Sequence, residues 1–328
     1  MHNAMTPLGT QDEFPHDVPS DVELWCENFC FDGFDATSGF GFWVHLSRGQ
    51  LHPTLSREVI TVFFPDGTFG YWKGYGPSRD VRGAAGPTLS IIIDKAFEDL
   101  RITCLSPLQL VTGDELKIGG IGDRCEQLFE MDIKFRAAAP VWDMRRAVEG
   151  QIWATGHYEQ AGLLHGSART GGIEYTMTGT GWRDHSLGPR DNTLMKQHVW
   201  AHAVFPSGRG FGLFQHARRD TGIDLAGACI FDATSIADAK VHELTPLGSN
   251  DTEAGFSSYR LVLESDRGLE TIEAEILTAY VATSAPPSQQ IFGLYREGGH
   301  VRWESRTHFR WNGESAIGLT ERTMPLRS

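Results

Sequence analysis

Nine consecutive residues, Gln127-Leu-Phe-Glu-Met-Asp-Ile-Lys-Phe135, alternate between the two sides of an extended chain. Leu128, Glu130, Asp132 and Lys134 fall on one side, and Gln127, Phe129, Met131, Ile133 and Phe135 on the other. A helix would scatter the apolar positions around its circumference, so this segment predicts a strand with one buried face. Similar short runs recur along the chain at a spacing of about ten residues, broken by turn chemistry. Glu58–Phe64, the turn Pro65-Asp-Gly67 and Thr68–Trp72 predict a hairpin, and His198–Phe205, Pro206-Ser-Gly208 and Gly210–His216 predict a second.

Gly41–Leu46, Leu89–Ile93, Leu100–Leu105, Leu108–Val111, Tyr259–Glu264, Glu270–Leu277, Gln290–Tyr295 and His300–Phe309 read as further strands. Ser265-Asp-Arg-Gly268 and Glu297-Gly-Gly299 supply turns, and Pro140–Val148 reads as one short helix. Glycine contributes 37 of 328 residues, well above the usual ~7%, which favours turn-rich β structure. Neither a βαβ rhythm nor a fixed-period repeat is visible. The expectation is an all-β chain of two antiparallel barrels or sandwiches packed side by side. Residues 1–22 form an N-terminal arm, 23–170 the first β domain and 171–328 the second, divided at the glycine-rich Gly166–Gly172.

The formal net charge of −13 argues against a nucleic-acid partner, which needs excess Lys and Arg to displace counterions. No window approaches the run of apolar residues that a membrane-spanning helix needs, so no membrane insertion is expected. Cys26, Cys30, Cys104, Cys125 and Cys229 are odd in number and irregularly spaced, which predicts reduced, mostly buried thiols. The N-terminus has no signal-peptide pattern, and a cytoplasmic location is expected. G-x-G-x-x-G after a strand, a Walker loop, G-x-S-x-G and H-E-x-x-H are all absent, which leaves nucleotide-dependent chemistry and serine hydrolysis little support.

Gly179-Thr-Gly-Trp-Arg-Asp-His-Ser-Leu-Gly-Pro-Arg-Asp191 is unlike ordinary strand or helix sequence. It concentrates two Arg-Asp pairs, a Trp and a His among glycines, and buried charges are costly unless paired. As an extended segment it puts Thr178, Thr180, Trp182 and Asp184 on one face, and Met177, Arg183 and His185 on the other. Asp184 would then look away from Arg183. A carboxylic acid that donates a proton near neutral pH needs a raised pKa, which apolar burial supplies and a facing Arg would cancel. A Trp beside it can steady a developing cation by roughly 1–2 kcal/mol when desolvated. The alternative is that Asp184 pairs with Arg190 or Arg183, and that Arg183, Arg190 and Asp191 form a structural joint between the halves.

Ile152-Trp-Ala-Thr-Gly-His-Tyr-Glu-Gln160 brings Trp153, His157 and Tyr158 near that joint, either as strand packing or as walls of a site. His198 and His202 share a strand face with Trp200, and His157, His185 and His216 are further imidazoles. A metal would need three of these to converge; no metal and no cofactor are expected. Most of the nine Trp and nineteen Phe residues belong to the core, with some, Trp43 among them, free to line an apolar pocket.

Two β halves, a His/Tyr-bearing segment and the midpoint Gly-x-Gly-x-x-Asp-His-Ser-x-Gly resemble the carotenoid 1,2-hydratase (hydroxyneurosporene synthase)-like family. Its relatives include kievitone hydratase and the lipocalin-like Diels–Alderases of fungal polyketide pathways. Arg306-Thr-His-Phe-Arg-Trp-Asn-Gly313 and Gly318-Leu-Thr-Glu321 also fit the family's last strands. The resemblance implies two lipocalin-like domains with a ligand cavity at or near their interface. It also implies that Asp184 protonates an alkene before water captures the cation. Trp182 stands where those enzymes carry a Tyr; Leu187, where many carry Trp, and Arg190-Asp191 are departures from the carotenoid enzymes that point away from long carotenoids.

The expected function is proton-initiated hydration or dehydration, isomerisation or cyclisation of an apolar unsaturated substrate such as a terpenoid, steroid or polyketide. Such an enzyme is a cofactor-independent lyase, isomerase or cyclase. Asp184, His157, His185 and Trp182 are the catalytic candidates; Trp200, His202, Tyr158, Trp43 and Trp153 are the substrate-binding ones. The alternative is a non-catalytic lipocalin-like carrier of a small hydrophobic ligand. Either would work as a monomer or homodimer.

Overall fold

The computed structural model describes residues 7–49, 52–117, 127–151, 153–245, 258–284 and 300–325. The expected strand Gln290–Tyr295, the turn at Glu297–Gly299, Cys125 and the first six residues of the arm lie outside them.

Eleven strands make the first sheet: β1 Trp25–Phe34, β2 Gly41–Gly49, β3 His52–Phe63, β4 Phe69–Pro77, β5 Gly83–Ala85, β6 Leu89–Lys95, β7 Asp99–Val111, β8 Gln127–Ala137, β9 Trp142–Asp143, β10 Gly156–Thr170 and β11 Ile173–Pro189. Their order is β4-β3-β2-β1-β11-β10-β8-β7-β6-β5, with β9 on β10, and β4 also pairs with β7. That last pairing joins eight of these strands into a ring. Eight more strands close a second barrel: β12 Met195–Val204, β13 Gly210–Arg218, β14 Gly222–Phe231, β15 Ile236–Thr245, β16 Tyr259–Ser265, β17 Gly268–Ser284, β18 His300–Trp311 and β19 Glu314–Pro325. The protein is all-β, antiparallel throughout and lipocalin-like, as expected.

The alternation read from residues 127–135 is the burial pattern of β8: Phe129, Met131, Ile133 and Phe135 are buried and the residues between them exposed. Both expected hairpins form, as β3–β4 and β12–β13, with Gly67 and Gly208 at φ +84° and +82° in their turns. That left-handed conformation is why glycine stands at those two sites. Leu100–Leu105 and Leu108–Val111 are one strand rather than two. Pro140–Val148 is not a helix, because Trp142 and Asp143 pair with Glu159 and Tyr158 of β10 and turns follow.

The dividing line falls later than expected. Gly171 and Gly172, at φ +58° and +79°, turn the chain between β10 and β11. β11 belongs to the first sheet, between β1 and β10, so the chain passes to the second barrel only after Pro189.

Strand alternation sorts the apolar residues into three packed layers. Phe29, Phe31, Val44, Ile60, Ile133 and Phe135 fill the first barrel. Val199, Ala201, Phe211, Leu213, Leu261 and Phe309 fill the second. Between them the outer faces meet, with Trp43, Trp182, Phe63 and Phe69 of one against Trp200, Phe214, Tyr280 and Leu319 of the other. Tyr280 stacks on Tyr71 at 5.6 Å between ring centres. Gly212 makes room for Trp182, since a Cβ there would lie 2.7 Å from the indole ring.

Candidate active site between the barrels

On β11 the even-numbered residues face the second barrel and the odd-numbered ones face the interior of the first. Trp182, Asp184 and Ser186 therefore reach the seam, while Arg183 and His185 do not. Opposite β11, strand β10 sends His157 and Glu159 to the seam, and β1 and β2 add Cys30, Asp32, Trp43 and His45. Strands β12, β13, β18 and β19 supply His198, Trp200, Phe214, His216, His300, Arg302, Glu321 and Thr323 from the other side.

These walls enclose a cavity of about 150 Å³, the size of an engineered protein cavity that holds benzene. Trp43, Trp153, Trp200 and Phe214 give it aromatic walls, and Trp153 stacks on Phe214 at 5.3 Å. A ligand pocket of this kind binds by shape and apolar contact, and a few polar groups orient what enters.

Asp184 is the acid on that wall. Its side chain is 18% exposed, and burial, with the Glu159 and Glu321 carboxylates nearby, raises its pKa to about 6 against the opposing pull of His157 and Arg190. Ser186 Oγ donates to it at 3.4 Å, and His157 Nε2 lies 3.9 Å away. No guanidinium is paired with it among the described residues. Arg190 instead donates to the Trp153 carbonyl (2.7 Å) and to Ser186 Oγ (2.6 Å), so the serine stands between base and acid.

Glu159, fully buried, is the polar centre of the seam. Its Oε2 accepts from the indole N–H groups of Trp182 (2.7 Å) and Trp200 (3.0 Å), one from each barrel. Its Oε1 lies 3.0 Å from His157 Nε2, off the line of a hydrogen bond, and neither ring nitrogen of His157 has a hydrogen-bond partner among the described residues. Further along, Asp32 is 3.1 Å from His202 Nε2, and His202 stacks on Trp182 at 5.1 Å. Burial raises the Asp32 pKa.

On the second barrel, Glu304 and Glu321 are neighbouring buried carboxyls, and Arg302 Nε lies 3.0 Å from Glu304 Oε1. Glu321 accepts from His198 Nδ1 at 3.0 Å and from Thr323 Oγ1 at 3.1 Å; against burial, His198 and Arg302 hold its pKa down to about 2. Glu304, buried beside it, is pushed up well above the ordinary value.

The structure brings Asp184, His157, Trp43, Trp153, Trp200 and Arg190 together on the cavity wall. Trp182 and His202 lie in the same seam behind that wall. His185 and Tyr158 are elsewhere, inside the first barrel: Tyr158 Oη and His185 Nδ1 are 2.8 Å apart, His185 Nε2 is 3.0 Å from Glu27, and the ring stacks on Phe29. Nor does Arg183 bridge the barrels. It forms a buried two-pronged ion pair with Glu13 of the N-terminal segment, and Gln160 accepts two more of its hydrogen bonds. Asp191 caps its own turn by accepting from the backbone N–H and hydroxyl of Thr193.

His45, Arg302, Glu304 and Glu321 were not among the expected site residues. Arg302, Glu304 and Arg306 stand at every second position of one strand, a row of charge that strand alternation must send to one face. That row was the available signal. Among the described residues the grouping close enough to hold a metal is His16, Glu27 and His185. It lies away from the cavity, and Arg48 also pairs with its glutamate.

The family model described as "Domain of unknown function (DUF7064)" matches residues 9–325. No curated protein matches the chain significantly. The fold is similar to that of a protein from Nitrosomonas europaea named as a candidate ATTH, at TM-score 0.62 and 15% identity, over 100% of this chain and 99% of that one. It is also similar to CghA, at TM-score 0.58 and 13% identity, over 92% of this chain and 88% of that one. At such identities the likeness is one of fold.

Proposed function

The chain belongs to the DUF7064 family, and within it we propose that this protein is a cofactor-independent enzyme that begins its reaction by protonating an unsaturated substrate from Asp184. The observation that carries the reading is a carboxyl on the wall of an aromatic cavity, unpaired with a guanidinium among the described residues, whose pKa burial raises to about 6. A general acid works best when its pKa lies near the operating pH.

In this reading the π pair of a carbon–carbon double bond takes the Asp184 proton, leaving a carbocation and an aspartate. The cation lies among Trp43, Trp153 and Trp200, whose ring faces attract positive charge. Water then adds, a neighbouring carbon–carbon double bond closes a ring, or an adjacent proton is lost; these outcomes are hydration, cyclisation and isomerisation. In each case the released proton returns to Asp184, with His157 beside it as the group that orients the water or hydroxyl. The cavity volume suits a compact substrate or the reacting end of a longer one, and not a whole carotenoid.

Mass spectrometry of the compound that copurifies with the protein supplies the substrate for the test. Asp184→Asn is expected to retain binding and to lose turnover by about 10²-fold or more. Because the acid must be protonated to act, wild-type kcat/KM is expected to fall as pH rises through about 6. A mutant with full activity would leave the carrier reading in its place.

A further inference from the structure

Arg190 is a guanidinium on the cavity wall whose hydrogen-bond partners are all neutral. It donates to the Trp153 carbonyl and Ser186 Oγ, and Asn28, with its amide oxygen turned towards it, accepts at 2.9 and 2.6 Å. No carboxylate lies within ion-pair distance of it among the described residues. Burial, with the Arg57, Arg302 and Arg190 charges around it, pushes the neighbouring His45 well below its ordinary pKa. Trp43 lines the same cavity, with His45 stacked on its ring at 5.6 Å and the Arg302 guanidinium 4.7 Å from its centre. Trp43 is 1% exposed, and its indole N–H has no hydrogen-bond partner among the described residues.

A buried donor without an acceptor costs about 1–3 kcal/mol, and a buried cation without an anion costs more. Both costs are removed by one kind of guest. The wall carboxylates do not remove them: Glu321 is committed to His198 and Thr323, and Asp184 reaches Arg190 only through Ser186. In the same cavity Trp153 and Phe214, stacked at 5.3 Å, offer their ring faces.

We propose that the ligand of this cavity is a small carboxylic acid with an aromatic or unsaturated body, its carboxylate held by Arg190 and the Trp43 N–H and its body against Trp153 and Phe214. The proposal rests on the reading of this cavity as the substrate site and narrows the substrate class to an unsaturated acid.

Benzoate matches the cavity in size and serves as the probe, with benzyl alcohol as its uncharged counterpart. Calorimetric titration at pH 6 is expected to show benzoate binding about ten-fold or more tighter than benzyl alcohol. Trp43→Phe, which keeps the ring and removes the donor, and Arg190→Gln should each reduce that preference several-fold while leaving benzyl alcohol affinity within two-fold. Should Arg190→Gln unfold, Trp43→Phe decides alone. Equal affinity for the two probes, or a preference that survives the substitutions, overturns the proposal. Either result is independent of Asp184→Asn turnover, so loss of the anion site and loss of the acid are told apart.

Discussion

A carboxyl held at about 6 instead of 3.8 is destabilising whenever it is ionised, and the difference is worth roughly 3 kcal/mol at most. The sign follows from the raised folded-state pKa. Asp184 adds stability below about pH 4, where both states are protonated, and that contribution is lost as pH rises through about 6. Asp184→Asn removes the ionisation. The mutant is therefore expected to melt above wild type at pH 7.5, with the gap closing towards pH 4 in a thermal scan. A mutant that melts below wild type at pH 7.5 would mark Asp184 as an ion-pair partner. At this scale much was legible in advance. Alternation alone separates Trp182 and Asp184 from Arg183, and the structure keeps that separation. What alternation does not give is which side is the barrel interior, so His185 and Tyr158 were expected at the cavity and stand behind it. Nor does it give the partner of Arg183, because Glu13 is 170 positions away.

Among the elements, the N-terminal segment does more than its polar composition suggests. The short turn Thr10–Glu13 carries Glu13 into the first barrel, where it meets Arg183, the Tyr158 hydroxyl (3.2 Å) and the Phe97 N–H (2.8 Å). Removing one partner of such a pair leaves an uncompensated buried charge, which typically costs 3–5 kcal/mol. Glu13→Ala is expected to lose about that much in urea denaturation, and the double substitution Glu13→Leu with Arg183→Met to recover most of it. A double mutant as unstable as the single one would show that shape, not charge, makes the contact. Hairpins such as β3–β4 were readable because turn chemistry is local. The Gly166–Gly172 run was misread for the same reason: a glycine-rich hairpin turn and a linker use the same residues, and only the pairing of β11 with β1 distinguishes them.

In the whole molecule, the two barrels are joined by interlocking surfaces, with Trp182 of the first seated over Gly212 of the second. Gly212→Val would push a branched side chain into that indole, and overpacking of this kind costs typically 1–3 kcal/mol. The expected result is a destabilised protein whose tryptophan emission shifts to longer wavelength as Trp182 and Trp200 become hydrated. Unchanged emission and stability would mean that the seam can slide to accommodate it. The cavity is a gap in this seam, and neither barrel encloses it alone. A guest held there touches both and is lost when they part, so its binding free energy is added to their adhesion. Occupancy then makes two separately wound barrels cooperate as one thermodynamic body, and the empty protein is the state in which they are freest to come apart.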